Sequence, residues 1–86
     1  QIVAIDHFGN AASNITASDL RELREPLMVS CCGECYGPVR RYYAQVTSGT
    51  PLAILNSAGR LELAVNCGRA IDLGAEVGSV VEVHET

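Results

Sequence analysis

Asp6-His7-Phe8-Gly9-Asn10 is the first stretch of the sequence whose side chains could do chemistry, and it directly follows an apolar run from Ile2 to Ile5. It places a carboxylate, an imidazole, an aromatic ring and an amide within five residues. The ring offers a face for stacking a planar ligand, and the amide offers both a donor and an acceptor. The same residues, with a glycine among them, are equally consistent with a plain turn. The residues alone leave both interpretations open.

The cysteines and histidines form a second candidate site. Cys32 and Cys35 have the two-residue spacing of a zinc knuckle, with Gly33 between them. The remaining potential ligands are Cys31, Cys67, His7 and His84, none of which forms a second pair at useful spacing. We therefore favour a tight hairpin loop that carries reduced thiols, and we expect no metal site. A zinc-stabilised structural domain is kept as an alternative hypothesis.

Two further motifs are interpreted as local structure. Asn14-Ile15-Thr16 matches a glycosylation acceptor, but we interpret it as a turn that leads into a helix. Asn56-Ser57-Ala58-Gly59 is typical of a turn that joins two strands, because Asn and Ser side chains bond their own backbone. No serine, histidine and acidic residue form a nucleophile elbow, and no glycine-rich phosphate loop follows a strand. We expect this chain by itself to be non-catalytic.

Composition limits the classes of partner. The chain has 86 residues, 48% of them hydrophobic, which predicts one small domain over residues 1–86. A formal charge of −4 with scattered basic residues argues against binding to nucleic acid or to an anionic membrane. No apolar run approaches the length of a membrane span. Since no leader precedes Gln1 and the cysteines are interpreted as reduced, we expect a cytoplasmic protein.

The candidate site residues are expected to be positioned by short strands. Turn-forming residues separate six apolar or β-branched runs, which predict strands at Ile2 to Ile5, Leu27 to Ser30, Val39 to Val46, Leu52 to Leu55, Leu61 to Val65 and Val80 to Val83. One short helix is predicted from Asp19 to Arg24, capped by Ser18 and stopped by Pro26. A second helical turn is predicted over residues 68–73, with Gly74 as its cap. The prediction is an all-β fold, a small sandwich or barrel with one or two short helices.

Three segments occur together in an order that is typical of one family. They are Ile5 to Asn10 followed by Ser13-Asn14-Ile15, then Leu55 to Gly59, then Leu61 to Asn66 with Gly68 and Ala70. The chain resembles the carboxyl-terminal domain of the S-adenosyl-L-methionine (SAM) hydrolases, also called SAM hydroxide adenosyltransferases, which include the SAM-dependent fluorinase and chlorinase. The resemblance runs from Ile2 to Val83 and is weak from Leu23 to Arg41.

The resemblance implies a small antiparallel β-barrel that is the second domain of a larger two-domain subunit. The active site of that family lies where this domain meets the amino-terminal catalytic domain of a neighbouring subunit in a homotrimer. The implied reaction is hydrolysis of SAM to adenosine and methionine, with no cofactor. The residues that activate the nucleophile belong to the amino-terminal domain, so the chain alone is expected to be inactive.

The resemblance also implies which residues bind the substrate. Phe8, Asn10, Tyr43 and the backbone around Cys67 correspond to positions around the adenine. Asp6 corresponds to a carboxylate that faces the methionine ammonium group, and Ser57 to a hydroxyl at the methionine carboxylate. With these matches, we favour the binding-site interpretation of the Asp6 to Asn10 stretch over the plain turn.

The sequence departs from the family pattern at several positions. Ala58 and Val65 stand where the fluorinase has arginines, which favours hydrolysis over halide chemistry. Gly78-Ser79 replaces a usual Gly-Asp, and the stretch from Cys31 to Pro38 is predicted to be a divergent loop. Two alternatives to the hydrolase remain: a non-catalytic module that binds adenosine or a nucleotide, and a SAM-dependent halogenase domain.

Overall fold

Seven strands and two short helical segments are present in the computed structural model, which describes residues 1–24, 26–40 and 47–85. The strands are β1 (Ile2–Ile5), β2 (Ala11–Thr16), β3 (Leu27–Cys31), β4 (Glu34–Arg40), β5 (Pro51–Leu55), β6 (Arg60–Val65) and β7 (Val81–Glu85). Helix α1 covers Ala17–Arg21, and a 3-10 helix covers Ala70–Leu73. The predicted all-β class with one or two short helices is confirmed. None of the helices in the described ranges is long and apolar enough to cross a bilayer.

The strands form one curled sheet in the order β1-β2-β6-β5-β4-β3-β7. The pairs of neighbours are antiparallel except β4 and β5, which pair in parallel through Val39 with Ala53 and Arg40 with Ile54. The implied antiparallel barrel therefore contains one parallel pair. Strand runs and turn signals locate strands but do not reveal the relative direction in which two neighbouring strands run.

Two backbone hydrogen bonds connect the opposite ends of the sheet order. The Ile2 amide donates to the Ser79 carbonyl oxygen at 2.9 Å, and the Gly78 amide donates to the Ile2 carbonyl oxygen at 2.8 Å. Gly78 and Ser79 are separated from β7 only by Val80, so the first strand contacts the segment that leads into the last. We call this contact the seam. The seam gives the sheet its barrel-like curl and satisfies backbone groups that an open edge would expose.

Alternation of side chains builds the core. In β3, Leu27, Val29 and Cys31 are buried while the residues between them are partly exposed, as expected when successive side chains point to opposite faces. Leu61 and Leu63 alternate in the same way on β6 and are completely buried. Each buried leucine or valine stabilises the fold by about 1.5–3 kcal/mol relative to exposure.

The Cys31 to Pro38 stretch is a hairpin rather than a divergent loop. Cys31 pairs with Glu34, and the two residues between them, Cys32 and Gly33, have φ angles of 53° and 79°. Two successive positive φ angles are the signature of a type I′ turn, which matches the twist of the flanking strands. The tight hairpin predicted for this cysteine-containing stretch is thus confirmed.

The cap of α1 differs from the prediction. The N-cap is Thr16, not Ser18, and its Oγ1 accepts a hydrogen bond from the Asp19 amide at 3.2 Å. Asp19 returns a bond by accepting from the Thr16 amide at 2.9 Å, which completes a capping box. Hydrogen bonding to the Asp19 carboxylate by Thr16, through its backbone amide first and its side chain second, holds the pKa of Asp19 below its usual value. The helix ends at Arg21 rather than Arg24.

Strand β2 was not predicted. Asn14-Ile15-Thr16, interpreted as a turn, lies inside it. The register between β2 and β6 shifts between Ala12 and Thr16, which is the mark of a bulge. Because the bulge interrupts alternation and brings polar residues into the strand, the segment has the composition of a turn.

Two further predicted elements differ from the structure in where they begin: β4 begins at Glu34 rather than Val39, and the second helical turn begins at Ala70 rather than at residue 68. Gly74 caps the 3-10 helix with φ of 93°, as expected of a left-handed C-cap. The predicted strand from Val39 to Val46 is described only as far as Arg40, and residues 41–46 lie outside the described ranges.

Candidate functional site

Residues 6–10, called the Phe8 loop below, are organised by one carboxylate. Asp6 Oδ1 accepts hydrogen bonds from the Phe8 and Asn10 amides, both at 2.9 Å. Asp6 Oδ2 accepts from Asn10 Nδ2 at 3.3 Å. The Asp6 amide in turn donates to the Asn10 carbonyl oxygen at 2.9 Å. The stretch is therefore a turn, and Asp6 holds it in shape.

This turn displays an aromatic ring to solvent. The Phe8 side chain is 73% exposed, and its ring meets the His7 ring edge-on, with centroids 5.5 Å apart. Asn10 is half-buried beside it. An exposed ring held on an ordered turn offers a flat apolar face on which a planar ligand can stack. The stretch is thus a turn with an exposed ring, and its role in binding a substrate stays a prediction.

A second backbone feature follows β6 at Cys67. Cys67 has φ of 59°, the left-handed region that non-glycine residues avoid at a cost of about 1–3 kcal/mol. The Gly68 amide closes the turn by donating to the Val65 carbonyl oxygen at 2.9 Å. Within residues 1–24, 26–40 and 47–85, no hydrogen bond uses the amide or carbonyl group of Cys67. This exposed, strained residue therefore presents one backbone donor and one backbone acceptor.

The Phe8 loop and the segment after Cys67 are packed together. The Ile71 amide donates to the Gly9 carbonyl oxygen at 3.4 Å. A Cβ placed on Gly9 would lie 2.7 Å from Arg69 Cβ, so the loop backbone rests directly on the Arg69 side chain. Accordingly, the loop that carries Asp6, Phe8 and Asn10 lies next to the segment that carries Cys67.

Ser57 occupies a different part of the domain. It is exposed in the β5–β6 turn, where Asn56 Oδ1 accepts from the Ala58 and Arg60 amides at 3.0 and 3.1 Å. Ala11, which follows the Phe8 loop, pairs with Leu63, whereas Arg60 pairs with Thr16 at the other end of β2. From Leu63 to Arg60 the strand advances about 10 Å, at about 3.3 Å per residue. The structure therefore does not place Ser57 beside the Phe8 loop.

Tyr43, the second aromatic residue expected at the adenine, lies outside the described residues. Its relation to Phe8 stays a prediction.

The cysteines gather no metal-ligand set in the part of the chain that the structure describes. No three His, Cys, Asp or Glu residues there are close enough to hold an ion. All four cysteines are free thiols. Cys31 Sγ lies 3.7 Å from Cys32 Sγ, and burial, followed by the bond to Cys32, raises the pKa of Cys31 to about 11. Because metals bind thiolates, a raised pKa disfavours metal binding at Cys31, and the zinc hypothesis gains no support.

Arg69 is the residue of this site that sequence reasoning missed. Its contact with Gly9 joins segments far apart in the chain, and no local pattern encodes such a contact. Gly9 is typical of a turn residue and has a positive φ of 82°, but a glycine in the sequence does not indicate which distant side chain packs on it.

Comparison with known proteins identifies relatives over nearly the full chain. A family model described as the SAM hydroxide adenosyltransferase C-terminal domain matches residues 1–82. The chain is 38% identical over 86 residues to an (R)-S-adenosyl-L-methionine hydrolase of Thermus thermophilus, which covers 96% of this chain and 31% of that protein.

Solved structures show the same fold. An uncharacterized conserved protein from Thermotoga maritima superposes with a TM-score of 0.79 at 28% identity, covering 98% of this chain and 35% of that one. A conserved hypothetical protein from Thermus thermophilus gives 0.71 at 36% identity, covering 96% and 31%. The chain thus spans about a third of the length of the relatives it matches.

Proposed function

Because the chain belongs to the family of SAM hydroxide adenosyltransferase C-terminal domains, we propose that it supplies one wall of the substrate pocket of a SAM hydrolase. The reaction converts SAM and water to adenosine and methionine. The observation that carries this proposal is the exposed Phe8 ring on an ordered turn. The backbone of that turn packs against Arg69, in the segment that follows Cys67 and its available amide and carbonyl groups.

The adenine side of the pocket follows from the chemistry of a purine. A planar base stacks on an aromatic face, and its edge needs both donors and acceptors. Phe8 supplies the face. Asn10 and the amide and carbonyl groups of Cys67 supply donors and acceptors, with Tyr43 proposed as a second aromatic wall. Each base–aromatic stack is worth about 1–3 kcal/mol when measured by alanine substitution.

The methionine side is proposed to involve Asp6 and Ser57. Both Asp6 oxygens already accept hydrogen bonds within the loop, yet a carboxylate has about four acceptor sites, so an ammonium group can still bind. Ser57 lies at the far end of β6, and only an extended ligand or a movement of the β5–β6 turn brings both residues to one substrate. Asp6 therefore has two proposed roles, shaping the loop and meeting the ammonium.

Water activation is proposed to come from outside this chain. Within the described ranges, His84 Nε2 pairs with Glu82 at 3.3 Å and His7 packs on Phe8, and no hydrogen bond joins either histidine to a serine or cysteine. We assign the activation of water to an amino-terminal catalytic domain of the same family, in a cytoplasmic homotrimer. Ala58 and Val65, in place of the arginines of a halogenase, support hydrolysis as the reaction.

The test is an assay of the complete gene product with SAM, followed by chromatography of the products. We expect adenosine and methionine in equal amounts, and no 5′-deoxy-5′-haloadenosine when chloride or fluoride is added. Phe8→Ala should raise KM for SAM by about tenfold through the loss of stacking. Val80→Ala is the matched control, since Val80 is 68% exposed and lies outside the proposed pocket. Absence of adenosine formation, or a Phe8→Ala variant with unchanged KM, would overturn the proposal.

The alternative of a non-catalytic adenosine module is favoured by one observation: this chain by itself already holds the Phe8 ring exposed on an ordered turn. Calorimetric titration of the 86-residue chain with adenosine separates the two functions. Micromolar binding by this chain, together with a complete gene product that leaves SAM intact, would establish the module. If this chain does not bind adenosine and the complete protein hydrolyses SAM, the chain supplies only one wall of a pocket that another domain completes.

A further inference from the structure

We infer that Arg69 is a positioning residue for the proposed pocket, because it fixes the Phe8 loop against the segment that directly follows the turn at Cys67. The inference rests on the proposed function, since it assigns the two segments to one binding site. It adds a residue whose role is to set the distance between the stacking ring and the backbone groups that would read the adenine edge.

The first line of support is the packing of the Arg69 stem on Gly9. A Cβ at Gly9 would lie 2.7 Å from Arg69 Cβ and 2.9 Å from both Cγ and Cδ. Gly9 is buried although Phe8 and His7 are exposed. The stem of the arginine therefore covers the loop backbone at its most constrained residue, where φ is +82°.

The second line of support is the restraint on the guanidinium group. Arg69 Nε donates to Asp72 Oδ2 at 3.3 Å, and Nη2 donates to Asp72 Oδ1 at 3.1 Å. Both side chains are more than half exposed, so the pair adds little stability by itself. A two-point contact nevertheless limits the rotamers of the arginine and keeps its stem extended over Gly9.

The third line of support is the weakness of the other contact between these segments. The Ile71 amide donates to the Gly9 carbonyl oxygen at 3.4 Å, which is long for a backbone hydrogen bond. Phe8 precedes Gly9 and Cys67 lies two residues before Arg69, so any slip at this contact changes the spacing between the ring and the Cys67 backbone. When groups that act together on a ligand are displaced by about 1 Å, a large part of their combined contribution can be lost.

Three substitutions separate the parts of the side chain. Arg69→Ala removes stem and charge, Arg69→Met keeps a stem without charge, and Asp72→Asn weakens the anchor of the guanidinium. In the complete gene product we expect Arg69→Ala to raise KM for SAM about tenfold with kcat within about twofold of wild type. Arg69→Met and Asp72→Asn should raise KM about threefold. Arg21→Ala, an exposed arginine of α1, is the control with unchanged kinetics.

A spectroscopic readout reports the loop directly. Phe8 is the single phenylalanine of the 86 residues, so biosynthetic labelling of the 86-residue chain with 4-fluorophenylalanine gives one ¹⁹F signal. We expect this signal to shift or broaden in Arg69→Ala at a temperature where circular dichroism shows that the chain remains folded. Arg69→Met should restore most of the wild-type signal.

The outcomes distinguish failure of the inference from failure of the proposed function. If wild-type protein hydrolyses SAM but Arg69→Ala retains the wild-type KM and ¹⁹F signal, the inference is wrong and the function stands. A lower melting temperature with unchanged KM and signal would show a merely structural role and also overturn it. If wild-type protein does not use SAM, the proposed function fails, and with it the assignment of Arg69 to a SAM pocket.

Discussion

Ser13 Oγ donates a hydrogen bond of 2.6 Å to the carbonyl oxygen of Leu61, and both residues are completely buried. The same hydroxyl oxygen accepts a bond from the Ile15 amide at 3.2 Å. Ser13 lies at the bulge, where the backbone ladder between β2 and β6 is interrupted. One hydroxyl group therefore replaces the missing ladder bonds and keeps the bulge buried.

Ser13→Ala should lower the free energy of unfolding by about 1–3 kcal/mol, because it leaves the buried Leu61 carbonyl and the partly buried Ile15 amide without this partner. Urea denaturation measures the change. Ser18→Ala is the matched control, since Ser18 is exposed and does not cap α1, and it should change stability by less than about 0.5 kcal/mol. Equal effects of the two substitutions would contradict the role of Ser13.

Gly9→Ala should destabilise the domain more than Gly59→Ala. Both glycines have positive φ, 82° and 75°, so alanine is strained at either position. Only at Gly9 does the added Cβ collide with Arg69, whereas nothing lies within 4 Å at Gly59. The difference between the melting temperatures of the two variants measures the cost of the collision with Arg69. Adding Arg69→Ala should recover part of the loss at Gly9 and none at Gly59.

Tyr36→Phe should leave the protein equally stable or more stable by about 1 kcal/mol at neutral pH, because it removes an orphan hydroxyl group. Tyr36 is 1% exposed, and its hydroxyl oxygen has no hydrogen-bond partner within the described ranges. Denaturation in urea at pH 7 measures the difference. A loss above about 1 kcal/mol would show that the hydroxyl has a stabilising partner.

Tyr36 also makes the stability of the domain depend on pH in the alkaline range. Burial, followed by the nearby Cys31, Cys32 and Glu34, raises the pKa of Tyr36 to about 12 from 10.0. The unfolded chain therefore releases this proton first, so the contribution to stability is complete below pH 10 and is lost as the pH rises towards 12. Tyr36→Phe should remove this part of the decline, as measured by the melting temperature against pH.

Native alkylation should distinguish Cys31 from the other cysteines. Cys31 is 2% exposed, and its pKa is raised to about 11, whereas Cys32, Cys35 and Cys67 are exposed. Since the thiolate is the reactive form, iodoacetamide at pH 8 should modify the three exposed thiols and reach Cys31 only in denaturant. Mass spectrometry of the peptides measures this order. Modification of Cys31 as fast as Cys35 would contradict its burial.

The sequence predicted the fold well wherever a local pattern determines the element. Apolar and β-branched runs located β3 and β6, and turn-forming glycines located the cysteine-containing hairpin and the cap at Gly74. It failed at β2, where the bulge at Ser13 interrupts alternation, and at the cap of α1. There the reciprocal bond between Thr16 and Asp19 outweighs the intrinsic capping tendency of Ser18.

The candidate site was predictable only in part. The Phe8 loop was recognisable from residue types, and the structure shows its ring exposed and its turn held by Asp6. The parallel pairing of β4 with β5 and the packing of Arg69 on Gly9 depend on contacts between distant segments. Ser57 matched a substrate position by motif, yet it lies in the turn before Arg60, and Arg60 is already about 10 Å along β6 from Leu63 at about 3.3 Å per residue.

The seam between Ile2 and the Gly78-Ser79 segment has a consequence for how the chain reaches its native state. Its two bonds join residues at nearly opposite ends of the sequence, so loop closure over almost the full chain must precede them. During synthesis on the ribosome, the edge of β1 that faces away from β2 has no partner until the Gly78-Ser79 segment emerges. We therefore expect slow folding for a domain of this size and a newly made first strand that is vulnerable to aggregation in the interval.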